Sequence, residues 1–163
     1  MNDMHQFDKD SFFYLLNENE KKLVMERLHK ERVSMGEYVF KEDDIDERLY
    51  IVKKGAISLI KSIGNDLDKT ILIASEGSIF GEFSFIDGGK RSASALASDD
   101  TILLSFDRKD FDALNKQFPA IGTKLYNNIL LTVTQRIRRT SEAQWGTIEN
   151  VIKNEKWINP DVA

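Results

Sequence analysis

From Tyr38 to Phe106 the apolar positions fall in short runs: Tyr38 to Phe40, Leu49 to Val52, Ile57 to Ile60, Ile71 to Ile73, Ala93 to Ala97 and Ile102 to Phe106. Turn signals at Asp43-Asp44, Gly55, Gly64-Asn65 and Gly77 separate them at spacings of roughly ten residues, the sign of an antiparallel sandwich or barrel. Thr70 to Ala74 and Ser92 to Ala97 alternate with a period of two, as half-buried strands do. The pattern predicts a mainly β body over residues 36–107.

On either side the period changes. Ser11 to Leu16 is a short apolar patch, and Asn17 with Glu20 forms the capping-box pair that opens a helix. Leu23, Val24 and Leu28 share one face of it, with Lys21, Lys22, Glu26, Arg27 and Lys30 on the other. Residues 1–35 are therefore expected to be a helical segment packed on the β body, with His29 a solvated side chain among the charges. After the strands, Asp107 can cap a short helix containing Phe111 and Leu114, and Pro119 suits the first turn of a longer one.

In that longer helix Tyr126, Leu130, Val133, Ile137, Thr140 and Gln144 recur at alternating steps of four and three, and Ile121, Leu125 and Ile129 form a neighbouring stripe. The two stripes mean either two buried surfaces, one on the β body and one on another helix, or a single wide face within one chain. Gly146 is the expected stop, so residues 108–146 are read as the C-terminal helices and 147–163 as a short tail or extra helix.

A chain of 163 residues suits one compact domain, and 41% hydrophobic with 31% charged residues is a globular composition. A net charge of −4 gives no basic footprint for a nucleic-acid backbone. With no cysteine, disulfides, thiolate metal sites and thiol nucleophiles are excluded. Metal-dependent enzymes on β-barrels need clustered histidines with a carboxylate. Here there are only His5 and His29, both expected outside the barrel, so neither catalysis nor a metal is expected. The N-terminus has no charged start or long apolar run, and the expected location is cytoplasmic, without membrane attachment.

The chemistry concentrates in Phe80 to Ala97, FGEFSFIDGGKRSASALA. Arg91 offers a planar, permanently charged fork of donors that matches phosphate oxygens, and the Ser92 hydroxyl with nearby backbone N–H groups adds neutral donors. Glu82, an acceptor only when ionised, suits a sugar hydroxyl and not the phosphate. Gly81 lets backbone approach a ligand without a Cβ in the way, and the four residues after it can form one helical turn. The same residue types also suit a surface ion pair beside a plain strand.

Gly81-Glu82-Phe83-Ser84-Phe85 followed by Arg91-Ser92-Ala93 resembles the phosphate-binding cassette of the cyclic nucleotide-binding domain family, which includes bacterial catabolite activators and protein kinase A regulatory subunits. The likeness extends to Gly36-Glu37-Tyr38-Val39-Phe40, to Leu49-Tyr50-Ile51-Val52 with Gly55, and to Gly77-Ser78-Ile79-Phe80. Two departures stand out: Asp43 where the family usually has a glycine, a position where Asp tolerates a left-handed turn, and Lys90 where many members have proline.

The resemblance implies an antiparallel, jelly-roll-like β-roll with N-terminal helices and a long C-terminal helix. It implies a ligand site made of Gly81, Glu82, Phe83, Ser84, Arg91, Ser92 and Ala93. In the catabolite activator branch an arginine followed four and five positions later by Thr-Ser reaches the nucleotide, which assigns Arg136 to Glu82 and the ribose, and Thr140 and Ser141 to the adenine. Trp145 is either a lid on the purine or a packing residue. The implied ligand is cAMP, with cGMP the alternative, and no cofactor is implied.

The implied partners are a second copy through the long helix and an effector protein that the sequence does not identify. A helix-turn-helix needs about three helices, for which residues 147–163 leave no room, so DNA binding by this chain is not expected. A ligand-gated switch is the favoured reading and a ligand-independent dimerising scaffold the alternative. Arg91→Ala is expected to weaken nucleotide binding while leaving the fold intact.

Overall fold

The structure, a computed structural model, describes residues 12–64 and 67–154, with side chains described as far as Thr147. Expectations for His5, Asn65 and residues 155–163 concern residues outside this range. Among the described residues the elements are α1 (Glu18–Met25), β1 (His29–Val33), β2 (Tyr38–Phe40), β3 (Leu49–Lys54), β4 (Ile57–Ser62), β5 (Asp68–Ala74), β6 (Ile79–Phe80), α2 (Glu82–Asp87), β7 (Ser94–Ala97), β8 (Thr101–Phe106), α3 (Arg108–Gln117) and α4 (Pro119–Asn154). They build two four-stranded antiparallel sheets, β1-β8-β3-β6 and β2-β7-β4-β5, with helices against the first: the β-roll with a long C-terminal helix that the sequence implied.

Strand β3 explains how the layers meet. Its run Leu49-Tyr50-Ile51-Val52 is buried throughout because both its faces are covered. Tyr50 and Val52 point into the roll with Phe40, Ile57, Phe80, Ala95, Ala97 and Leu103. Leu49 and Ile51 face the helices, joining Phe106, Val24, Phe111, Leu114, Ile121, Leu125 and Ile129. A strand buried on both sides shows a continuous apolar run instead of alternation. The cassette helix α2 hangs on this second core through Phe85, whose ring meets Phe111 edge-on at 5.3 Å.

Helix α1 starts as expected, with both capping-box bonds at 2.9 Å between Asn17 and Glu20. It ends at Met25, not near Lys30. The Arg27 N–H bonds the Val24 carbonyl at 2.9 Å in a tighter turn, and the Arg27 guanidinium takes the Leu23 carbonyl at 2.7 Å. The chain then runs as β1 along β8, from His29 opposite Ser105 to Val33 opposite Thr101. The stretch HKERV carries no apolar period because an edge strand is held by backbone bonds and protected by charge. His29 thus belongs to the roll, contrary to the expectation that it lies outside.

At the other end, α3 and α4 begin where Asp107 and Pro119 indicated, although the Asp107 side chain makes no capping bond. Helix α4 does not stop at Gly146 but continues to Asn154, about 54 Å at 1.5 Å per residue. Gly146 has helical backbone, open space around it and no left-handed turn, so it costs the helix only about 1 kcal/mol. The Ile121, Leu125 and Ile129 stripe is buried within the chain, whereas Leu130 and Ile137 of the other stripe are 63% and 61% exposed. No helix among the described residues is long and apolar enough to cross a membrane.

Candidate functional site

Strand β6 ends at Phe80, and Gly81 turns the chain into α2 with φ +77. A Cβ there would lie 2.5 Å from Arg91 Nη1 and 3.0 Å from the Arg48 carbonyl. Glycine is required on both counts, since a side chain tolerates neither that φ nor that crowding. Glu82, the first helical residue, is 6% exposed. Gly88, also left-handed, closes the helix and begins the loop that returns as Arg91.

Arg91, 2% exposed, is locked in place. Its Nη1 donates to the Gly81 carbonyl at 3.0 Å and to Ser84 Oγ at 2.7 Å, and Nη2 donates to the Arg48 carbonyl at 2.8 Å. Asp46 Oδ2 lies 2.9 Å from Nη2. The guanidinium stacks 4.0 Å from the Phe40 ring centroid, and its Nε is buried without a protein acceptor. Its backbone is held too: the N–H bonds the Asp44 carbonyl and the carbonyl accepts from the Asp43 N–H, both at 2.9 Å. Asp43 has φ +68, the left-handed turn anticipated where the family has glycine.

Asp46 is the hub of this framework. It accepts from Arg48 Nε at 3.1 Å and Tyr50 Oη at 3.2 Å as well as pairing with Arg91. Burial pushes its carboxyl up, but the hydrogen bonds and charges of Arg48 and Arg91 outweigh that and hold it below the usual carboxylate range. Burial likewise pushes the Tyr50 hydroxyl well up, so Tyr50 remains a neutral donor. Arg91 is therefore a structural member as well as a candidate ligand group, and the expectation that Arg91→Ala spares the fold is corrected.

Helix α4 closes the opposite side. Arg136 Nη1 meets Glu82 Oε1 at 2.7 Å, and its Nη2 donates to the Ile79 carbonyl. The exposed Thr140 hydroxyl bonds back to the Arg136 carbonyl at 3.0 Å. Between α4, β5 and the cassette lies a cleft of ≈ 1000 Å³. Gly81, Glu82, Phe83, Ser84, Arg91, Ser92, Ala93, Arg136, Thr140 and Ser141 all line it, so the ten residues singled out in the sequence come together in one place. Trp145 is exposed and does not line it.

An anion-compatible Arg-Ser limb, a carboxylate paired across the cleft and an apolar wall of Ile71 and Ile73 form a recess for a small phosphorylated ligand with hydroxyls and a flat apolar part. Among the described residues one group could hold a metal ion: His29, Asp107 and Asp110. It does not line the cleft.

Residues 30–118 match the family described as the cyclic nucleotide-binding domain. The chain belongs to this family. It is 30% identical over 126 residues to the cyclic AMP receptor protein of Thermus thermophilus, covering 77% of this chain and 56% of that protein. It is 29% identical over 103 residues to the cAMP-dependent protein kinase regulatory subunit of Eremothecium gossypii, covering 63% of this chain and 21% of that one. Among solved structures, the catabolite activator protein of Thermus thermophilus superposes with a TM-score of 0.73 at 28% identity, over 85% of this chain and 62% of the other. A cyclic nucleotide-binding domain from Methylobacillus flagellatus kt gives 0.75 at 27%, over 79% and 72%. The chain thus spans about half or less of the length of these two sequence relatives.

In this cyclic nucleotide-binding domain, sequence reasoning missed Asp46 and the β5 wall. Asp46 sits in an acidic run, Glu42 to Glu47, where nothing marks it out. The available signal was its period-two spacing with Arg48 and Tyr50, which puts the three side chains on one side of an extended chain. Ile71 and Ile73 carry only a strand pattern in the sequence, and their exposure on an outer strand, 54% and 62%, becomes meaningful once the cleft is seen beside them.

Proposed function

We propose that the cleft binds a cyclic nucleotide, cAMP in the first place, and that the chain acts as a ligand-gated regulatory module. In this reading the phosphate meets Arg91, Ser92 and the cassette N–H groups. Glu82 accepts from the ribose hydroxyl, Arg136 steadies Glu82, and Thr140 and Ser141 bond the adenine beside Ile71 and Ile73. Arg91 is already fixed by Asp46 and three further acceptors, so its fork needs little ordering when a ligand arrives. Each charge-assisted bond to the ligand is worth roughly 1.5–3 kcal/mol.

The observation that carries the reading is the Glu82–Arg136 pair, which ties the cassette to α4 at the edge of the cleft. A ligand that engages Glu82 changes the balance of that pair and so biases the position of α4. It can shift the helix only by its difference in affinity for the two arrangements. The exposed stripe of Leu130 and Ile137 is then the surface through which α4 meets a second copy, and the module acts on an effector protein.

A cGMP-selective sensor is the second reading. It is favoured by 27% identity over 125 residues to a cGMP-dependent protein kinase of Eimeria tenella. Thermal unfolding with each nucleotide separates the two. The cognate ligand at about a hundred times its dissociation constant stabilises the fold by roughly 2.7 kcal/mol, and a midpoint unmoved by either nucleotide would count against both.

A further inference from the structure

The limb that carries Arg91 is gripped from outside the cleft by a pair of side chains that the nucleotide reading leaves unused. Lys61, near the end of β4, donates to the Ser92 carbonyl at 2.9 Å and to Glu42 Oε1. Glu42 completes the link in both directions. Its Oε2 accepts from the Ser62 N–H at 3.2 Å, and its own N–H donates to Ser94 Oγ at 2.9 Å. Glu42 thus joins the loop after β2 to the end of β4 and to β7, with the Lys61 ammonium aimed at one peptide group of the cassette.

That peptide group is the one between Ser92 and Ala93, and both residues line the cleft. A trans peptide is planar, with its C=O and its N–H pointing opposite ways. Fixing the Ser92 carbonyl on Lys61 therefore fixes the direction of the Ala93 N–H. Without Lys61 this peptide keeps no side-chain hold on its carbonyl, while Arg91 next to it remains bound to Asp43, Asp44 and Asp46. We infer that Lys61, oriented by Glu42, is a positioning residue for the anionic end of the ligand, setting the Ser92–Ala93 amide that faces it. The inference rests on the cyclic nucleotide reading and adds to it a residue pair outside the cassette.

Two features favour a positioning role over a plain surface ion pair. The bond to the carbonyl spends one Lys61 donor on a backbone group of the cassette, where a surface pair needs none. Glu42 is also held below the usual carboxylate range by the Lys61 hydrogen bond and the Ser62 N–H, which keeps it charged as an orienting partner across neutral pH.

The test compares wild type, Lys61→Met and Lys61→Arg for binding of cAMP and of its two phosphorothioate diastereomers, in which sulfur replaces one or the other exocyclic phosphate oxygen. Lys61→Met is expected to lower cAMP affinity about tenfold, as when one charge-assisted hydrogen bond behind the site is removed, and to change the affinity ratio of the two diastereomers. Lys61→Arg is expected to restore most of both. The ligand-free unfolding midpoint is expected to fall by no more than about 4 °C, as for a partly exposed ion pair. Wild-type affinities in Lys61→Met, or one common fall for all three ligands with the ratio unchanged, would overturn the inference while leaving nucleotide binding in place. Failure of wild type to bind any of the three would overturn the nucleotide reading and the inference together.

Discussion

Asp46→Asn isolates the framework behind Arg91. The substitution keeps size and an acceptor oxygen but removes the charge facing a guanidinium whose side chain is 1% exposed. Breaking a buried ion pair typically costs 3–5 kcal/mol. Asp46 is 19% exposed, and Asn still accepts one bond, so the lower end applies, about 3 kcal/mol. For a chain of this size that corresponds to a fall of about 6–12 °C in the unfolding midpoint. Because the folded carboxyl titrates below its ordinary value, its contribution is present above about pH 4 and is lost as pH falls through the folded value. The gap between wild type and Asp46→Asn therefore holds at neutral pH and closes in acid.

The same variant makes a second, opposite prediction for the ligand. With Asp46 neutral, the nucleotide phosphate becomes the nearest anionic partner for Arg91, so cAMP should raise the midpoint of Asp46→Asn by more than it raises that of wild type. Scanning calorimetry with and without cAMP at pH 7 and at acid pH reads both effects. A ligand-free midpoint within about 1 °C of wild type would refute the structural role of the pair. A smaller ligand response in the variant would refute the idea that Asp46 and the phosphate share Arg91.

Other substitutions probe the turn, the closing helix and the exposed stripe separately. Gly81→Ala places a Cβ 2.5 Å from Arg91 Nη1 at φ +77 and should cost about 2 kcal/mol in urea unfolding, with nucleotide affinity falling alongside; an unshifted urea curve contradicts the packing argument. Arg136→Met leaves the buried Glu82 without its partner and should lower cAMP affinity at least about tenfold by calorimetric titration, whereas unchanged affinity would separate α4 from the site. Leu130→Asp combined with Ile137→Asp, both on exposed positions of α4, should abolish a dimer in sedimentation velocity without altering the circular dichroism spectrum. A dimer that survives the pair would place the interface elsewhere.

What was readable in the sequence was what is local. The cassette from Gly81 to Ala93 could be found because its turn, helix and returning arginine are one short segment, each residue type tied to one task. Arg136 became readable by resemblance, and the structure sets it 2.7 Å from Glu82. Strand β1 was hidden because its pairing with β8 is made by backbone, leaving HKERV free to look like the polar face of a helix. The run of α4 past Gly146 was hidden because a single glycine costs less than the helix around it supplies. Asp46 and the Glu42–Lys61 pair depend on which acid of a run meets an arginine or lysine brought by another strand, and only the folded register decides that.

Whether the cleft takes a cyclic nucleotide is decided most directly by a residue-by-residue map of amide chemical shifts as cAMP is added to isotopically labelled protein. Binding in the cleft predicts a saturable set of changes centred on Gly81 to Ala93, on Ile71 and Ile73, and on the α4 turns from Thr132 to Ser141. Changes confined to another surface, or none at saturating nucleotide, would contradict it.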